Sequence, residues 1–312
     1  MTAPADPFDR GTRPEPGRID AVAPGVRRIV AENPSPMTFT GTCSYILGER
    51  EVAILDPGPD DAAHQERLLE AIGPEAHVAA VLVTHSHLDH SGGARRLARL
   101  TGAPTLGFGR HGAGMSDRMR ALAEAELRLG GGEGADATFE PDRPLADGDA
   151  LAVEGRRLVA LHTPGHLSNH LCFALEGEGV VFSGDHVMAW ATTLVSPPDG
   201  DMTAFLASLR RLKGRGDRLF LPGHGGPVRD PEHMIDAQLA HRAGRERAIF
   251  DALAEGPADT ERLVARIYGD LDATLRPAAR RNVLAHLLAL LERGAVVPRG
   301  LLSADAAFAL AG

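Results

Sequence analysis

Residues Ala80 to His90, AVLVTHSHLDH, join an apolar run to four side chains of metal-binding type, and their reading decides the fold. The run is short, apolar and β-branched at Val81 and Val83, as buried strands are. In an extended strand end, residues two apart point the same way, so His85 and His87 face one metal ion together. Asp89 and His90 come next, where the chain turns into a helix expected to begin near Ser91 and Gly92. A carboxylate there is favoured by the positive end of the helix. Two neighbouring metal positions result. With the four residues treated as independent draws, a chance match in a chain of this size is on the order of one in several hundred, so the motif carries weight alone.

Working outward, three other strand-like runs end the same way: RLVALHTPGH (Arg157 to His166), VVFSGDH (Val180 to His186) and RLFLPGHG (Arg218 to Gly225). A fifth, EVAILDPG, ends with Asp56. Layered α/β folds build their sites just beyond the carboxyl ends of strands, so these clusters can converge on one edge. His166 can complete a set with His85 and His87, three imidazoles with an open position, which is the arrangement of a catalytic zinc. His224 can join Asp89 and His90 on a second ion, and Asp185 can bridge both. In two-metal hydrolases such ions stand about 3.5–4 Å apart and share a water whose pKa falls to about 7. Asp56 is read as a supporting or turn residue, because its Pro-Gly neighbours explain an Asp without any metal. His170 is the candidate for reaching substrate or protonating a leaving group, with a packed role as the alternative. His162 and His186 lie beside the clusters. Trp190, Thr192 and Thr193 follow the Asp185 turn as pocket lining or packing. His64, His77 and His241 are read as solvated surface residues.

The 312 residues are 43% hydrophobic and 24% charged, which excludes disorder for most of the chain and allows one large domain plus a smaller one. No stretch approaches the roughly 18 apolar residues of a membrane span, and the N-terminus lacks the order of a secretion signal, so a cytoplasmic protein is expected. Cys43 and Cys172 lack metal-type spacing and read as two buried reduced thiols. The net charge of −9 argues against nonspecific nucleic-acid binding by the whole surface. From Asp236 onward ten Arg face ten Asp and Glu, so residues 1–235 carry the entire excess.

The organisation follows from periodicity. Residues 1–18, rich in Pro and charge, read as a flexible or loosely draped tail. Residues 19–235 alternate strand-like and helix-like runs and form the catalytic domain. Within them, 108–148 is a Gly-rich insertion, a lid or a plain surface excursion, with a short helical run around Met119 to Leu129. Residues 236–312 are helical, with helices at about Pro231 to Leu253, Thr260 to Tyr268 and Pro277 to Arg293. A hairpin between Ala295 and Leu310 closes what reads as a winged-helix-like domain.

These residues resemble the metallo-β-lactamase superfamily, on His85-Ser86-His87-Leu88-Asp89-His90, Thr163-Pro164-Gly165-His166, Ser183-Gly184-Asp185 and Pro222-Gly223-His224-Gly225. The resemblance implies an α/β fold, a four-layer αβ/βα sandwich, in which His85, His87 and His166 bind one zinc, Asp89, His90 and His224 the other, and Asp185 bridges them. A narrower resemblance covers residues 30–300. Asn33-Pro34-Ser35-Pro36, Gly41-Thr42, His170, Ile267-Tyr268 and Arg281-Asn282-Val283-Leu284 with His286-Leu287 are similar to the β-lactamase-like hydrolase and endoribonuclease group with a C-terminal winged-helix tail. Cys43 and Ser44 depart from it, standing where that group usually shows Asn-Thr.

The expected enzyme is a dinuclear zinc-dependent hydrolase in which a metal-bound hydroxide attacks an ester, thioester or lactone of a small anionic substrate. Asp89 orients it, and His170 is the second catalytic candidate. Two zinc ions less Asp89, Asp185 and hydroxide leave about +1, which attracts an anion despite the acidic chain. The tail then builds a pocket wall or a homodimer contact. The alternative is a single-strand endoribonuclease acting on RNA, for which balanced charge and few aromatics make a weak footprint. A redox or non-catalytic metal-binding protein ranks last, because the di-iron oxidoreductases of the superfamily usually carry Glu where His87 stands.

Overall fold

The structure, a computed structural model, describes residues 7–125 and 129–312. Seven strands form one sheet in chain order: β1 (Ile19–Ala23), β2 (Val26–Val30), β3 (Cys43–Leu47), β4 (Glu51–Leu55), β5 (His77–Leu82), β6 (Thr105–Gly107) and β7 (Arg143–Pro144). Pairing is antiparallel up to β4 and parallel beyond it. The second sheet comprises β8 (Ala150–Val153), β9 (Arg156–His162), β10 (Leu171–Leu175), β11 (Val180–Gly184) and β12 (Leu219–Pro222), in the order β12-β11-β10-β9-β8. Strands β3, β10 and β11 are buried at every position, which is why their sequences CSYIL, LCFAL and VVFSG read as unbroken rather than alternating runs.

Eight helices are found among the described residues: α1 (Ala62–Ile72), α2 (Leu88–Ser91), α3 (Ala94–Thr101), α4 (Asp117–Glu124), α5 (Met202–Leu212), α6 (Pro231–Ala254), α7 (Thr260–Tyr268) and α8 (Arg276–Glu292). Asp61, Asp201, Asp230 and Asp259 accept backbone N–H bonds at the starts of α1, α5, α6 and α7. The sheets face each other through Tyr45, Leu55 and Leu82 on one side and Leu158, Phe173, Phe182 and Leu221 on the other. Leu68, Ile72 and Leu97 of α1 and α3 cover the outer face of the first sheet, against Ile46, Ile54 and Val81. Phe205, Leu209 and Ile235 of α5 and α6 cover that of the second, against Cys172, Val181 and Phe220. This is the four-layer sandwich. The winged-helix domain has its own core, built by α7, α8, the end of α6 and the hairpin of β13 (Val296–Arg299) and β14 (Ala307–Leu310), with Phe308 at its centre.

Several boundaries differ from expectation. The single helix expected near Ser91 is two, because a turn begins at Leu88 and places Asp89 and His90 within α2. Gly92 and Gly93 separate the two helices by necessity: a Cβ at Gly92 would stand 2.5 Å from the Leu88 carbonyl, and one at Gly93 would stand 2.4 Å from Gln65 Nε2. The expected boundary at 235/236 falls inside α6, whose start packs on the sandwich and whose end packs in the winged-helix core. Residues 7–18 lie against the body, with Asp9 N–H donating to the Ala189 carbonyl and Phe8 set against the second sheet's outer layer. The helical run near 119–129 is α4, and residues 126–128 of it lie outside the described residues. Met119 and Leu129 pack on Leu284 and Leu288, so the 108–148 excursion rests on α8. Strands β1, β7 and β8 were illegible because they are short and half-exposed. No helix among the described residues is long and apolar enough to cross a membrane.

Strands β4 and β5 run parallel, as do β11 and β12, and β9 and β11 share a direction because both oppose β10. The chain segments beyond all five carry the site. Because Phe182 is fully buried between the sheets against Tyr45, Phe182→Ala should cost about 3–5 kcal/mol, read as a lowered urea midpoint.

Candidate active site

The segment after β5 delivers His85, His87, Asp89 and His90; those after β9, β11 and β12 deliver His166, Asp185 and His224. All seven meet. His85 Nε2 and His166 Nε2 each lie 3.0 Å from His87 Nδ1. Asp89 Oδ2 lies 3.3 Å from both His90 Nε2 and His224 Nε2, which are 3.3 Å from each other. Asp185 reaches both groups: Oδ1 is 3.4 Å from His90 Nε2, and Oδ2 is 3.3 Å from His224 Nε2 and 3.7 Å from His166 Nε2. Three ligand sets, His85/His87/His166, Asp89/His90/His224 and His85/His90/Asp185, have their donor atoms within 4.8 Å of one another.

The surrounding hydrogen bonds set the tautomers. Asp56 has only acceptors to offer, and it takes the Thr84 N–H at 2.7 Å, the Thr84 hydroxyl at 2.8 Å and His90 Nδ1–H at 2.9 Å. With its proton given to Asp56, the Thr84 oxygen accepts from His85 Nδ1–H at 2.9 Å. His166 Nδ1–H donates to the Leu194 carbonyl at 2.7 Å, and His224 Nδ1–H to the Gly41 carbonyl at 3.2 Å. Four imidazoles therefore turn Nε2 inward, bare in His85 and His166. His87 enters through Nδ1. In the first group three nitrogens converge at hydrogen-bonding distance with the protons of two of them committed elsewhere, an arrangement that suits a shared cation rather than mutual hydrogen bonds. The donor set fits a pair of divalent ions.

Electrostatics divide the two groups. Burial, reinforced by neighbouring histidines, holds His85 well below its usual pKa and His87 down at about 3; burial also lowers His166. These rings stay neutral, as ligands must. Burial pushes Asp89 and Asp185 upward, but the histidines beside them more than reverse this, leaving both carboxylates well below their usual range. For His90 and His224 burial acts downward and the carboxylates win, Asp89 leading at His90 and Asp185 at His224, which rises to about 10. Protons and metal therefore compete for the second group.

Other expected residues fall as follows. His170 is fully buried, accepts the Asp185 N–H on Nε2 at 3.2 Å and donates from Nδ1 to Thr163 Oγ1 at 2.9 Å. Both nitrogens are thus engaged inside the protein, the packed arrangement that the sequence offered beside proton donation to a leaving group. Asp56 is a supporting residue, held at positive φ of 51° at the end of β4. His162 stacks on Phe108 and bonds the Ser168 carbonyl. His186 is buried against Phe205. Trp190 stacks on Phe39 beside Gly225, and Thr193 is buried with its hydroxyl on the Asp185 carbonyl at 2.6 Å. His64, expected at the surface, is fully buried and bonds Ser44 Oγ at 2.8 Å. Cys43 and Cys172 are buried free thiols. Thr42 was missed: its hydroxyl donates to Asp89 Oδ2 at 2.9 Å and is itself held by Asn33. Thr84 was missed too, although its position directly before His85 on the strand beside Asp56 was a signal.

A sandwich with this cluster on one edge and a winged helix behind it defines a metal-site hydrolase of one family. The model of the metallo-beta-lactamase superfamily matches residues 37–224, and that of the beta-lactamase-associated winged helix domain matches residues 260–301. The chain belongs to the metallo-β-lactamase superfamily and is a hydrolase of it. An atrochrysone carboxyl ACP thioesterase of Aspergillus fumigatus is 30% identical over 277 residues, covering 83% of this chain and 78% of that protein. Another from Cryptosporiopsis sp. is 30% identical over 290 residues, covering 86% and 80%. Among solved structures, a beta-lactamase domain protein from Burkholderia ambifaria superposes with TM-score 0.80 at 27% identity, over 97% of this chain and 96% of that one.

Two outcomes follow from the site. Lowering the pH from about 8 to about 6 should weaken metal binding, with protons released on loading, because the entering ion displaces them from His90 and His224; calorimetry in buffers of differing ionisation enthalpy reads this. Asp56→Asn, which replaces an acceptor of three hydrogen bonds, should weaken metal affinity about 10–100-fold in a chelator competition.

Proposed function

We propose that the protein is a dinuclear zinc-dependent hydrolase of small anionic thioesters. The observation that carries this is that Asp185 reaches both groups of side chains able to hold a metal ion, whose imidazoles each turn one ring nitrogen inward. When bound, a divalent pair lowers the pKa of water toward about 7 and draws electron density from a carbonyl oxygen. What the chain does is orient and exclude. Asp89, fixed by Thr42, is the more open carboxylate, with 26% of its side chain exposed against 10% for Asp185. It is the group placed to hold an attacking water and take its proton on a carboxylate oxygen.

The leaving group separates thioesters from other substrates. A thiol has a pKa of about 8.5, so it departs as the anion without a proton donor. An alkoxide is a far stronger base and calls for one. His170 is engaged on both nitrogens and spent on holding Asp185, and a thioester is the substrate that least needs a proton donor. Leu88, between two ligands, and Met37, in the loop leading to Thr42, are exposed apolar side chains that suit the acyl part of such a substrate. The relatives named as thioesterases support the same reading.

A panel of acyl thioesters and a labelled single-stranded RNA, each with and without chelator, tests it. Thioester turnover abolished by chelator and restored by zinc is expected, with Asp185→Asn lowering kcat at least about 100-fold. Cleavage of the RNA with no thioester turnover would overturn the proposal.

A further inference from the structure

The residues between β11 and α5, 185–200, contain no helix or strand, yet they position the metal centre at two points. The Leu194 carbonyl fixes the ring of His166 through its Nδ1–H at 2.7 Å, and Thr193 Oγ1 holds the Asp185 carbonyl at 2.6 Å and that of His186 at 3.1 Å. A segment without a ladder of its own needs outside partners to be rigid. Those partners come from α6 and α8. The Arg242 guanidinium donates to the Thr193 carbonyl and, at 3.2 Å, to Asn282 Oδ1. The same Asn282 oxygen accepts the Val195 N–H at 3.1 Å. One turn of chain, 193–195, is thus gripped on both sides of the carbonyl that orients His166.

Arg242 is an unusual choice for mere packing. It is 3% exposed, no carboxylate among the described residues pairs with it, and it also lies over the face of Phe205 at 5.2 Å. Burying a guanidinium against carbonyl and amide oxygens is unfavourable unless its geometry is needed, and an apolar residue would pack the same space at less cost. Next to Asn282, Arg281 grips the following residues, donating to Ser196 Oγ at 2.7 Å and to the Pro197 carbonyl.

We propose that Arg242 and Asn282 are positioning residues of the metal centre: by clamping residues 193–195 they set the angle of His166 and so complete the first ion's ligand set from the winged-helix side without touching the ion. The catalytic unit therefore includes α6 and α8, and the winged-helix tail acts on the affinity of one ion rather than as a separate module. The inference rests on the two-ion reading above.

The test is zinc binding by the full-length, metal-stripped chain, titrated against a chromophoric chelator so that the two equivalents are resolved, with thermal midpoints measured alongside. Asn282→Leu, similar in size and without an acceptor, should weaken the equivalent held through His166 about 10–100-fold and the other, which shares only Asp185 with the clamped segment, by much less. Asn282→Asp keeps the acceptor and should bind both ions as the wild type does. Arg280→Ala cuts bonds to Thr260 and Asp305 within the tail, and should lower the thermal midpoint while leaving both affinities alone. Folded Asn282→Leu protein with wild-type affinity at both sites overturns the clamp, as does equal weakening of both sites or the same weakening in Arg280→Ala. If Asn282→Leu does not fold, Arg242→Lys decides: its single ammonium cannot span both acceptors, so selective loss of one equivalent supports the clamp and wild-type binding overturns it. Wild-type protein that binds fewer than two ions overturns the two-ion reading itself, a result separate from the clamp's failure.

Discussion

Everything at the site depends on where the outer protons of four imidazoles go. His85, His90, His166 and His224 each give one N–H away from the cluster, to Thr84, Asp56, the Leu194 carbonyl and the Gly41 carbonyl. That leaves their other nitrogens facing inward in a space with two carboxylates, bare in the first group and protonated beside Asp89 and Asp185 in the second. The neutral rings of the first group do not attract one another at such distances, and a cation shared among them would supply that attraction. Asp56 is central because one carboxylate governs a ring in each group, His90 directly and His85 through Thr84.

The fold supplies these outer acceptors from elements far apart in the chain. Gly41 lies before β3, Asp56 follows β4 and Leu194 lies between β11 and α5. The two sheets align five strand ends on one edge, and the outer helices then hold the segments that the sheets do not. Through α6, packed at one end on the sandwich and at the other in the winged-helix core, the two domains share a single helix. The proposed thioester preference follows the same logic: a histidine that supports Asp185 is not at hand as a proton donor, and a thiolate does not require one.

Much of this was legible before any coordinates. The seven converging side chains could be read because each lies at the end of an apolar run, and strand ends are where such sites form; the α/β class followed from the alternation of strand-like and helix-like runs, and the four layers from the resemblance to the family. What could not be read has two physical causes. Carbonyl oxygens such as those of Gly41 and Leu194 have no residue-type signature, so the groups that orient His224 and His166 were invisible. Long-range partners such as Thr42 and Asp89, or Asn282 and Val195, depend on loop paths that periodicity does not encode. For His170 the sequence left two readings open, reaching substrate and packing, because the path that sets its ring between Thr163 and the Asp185 N–H is not encoded in periodicity. His64 was misread because helix α1 presents it inward to Ser44, where a polar partner makes its burial tolerable.

The most direct test of the central claim is anomalous diffraction at the zinc edge from crystals of the purified protein. Two peaks about 3.5–4 Å apart, one among His85, His87 and His166 and the other among Asp89, His90 and His224, with Asp185 between them, are the predicted result. A single peak, or none within about 2.5 Å of those nitrogens, would contradict the account.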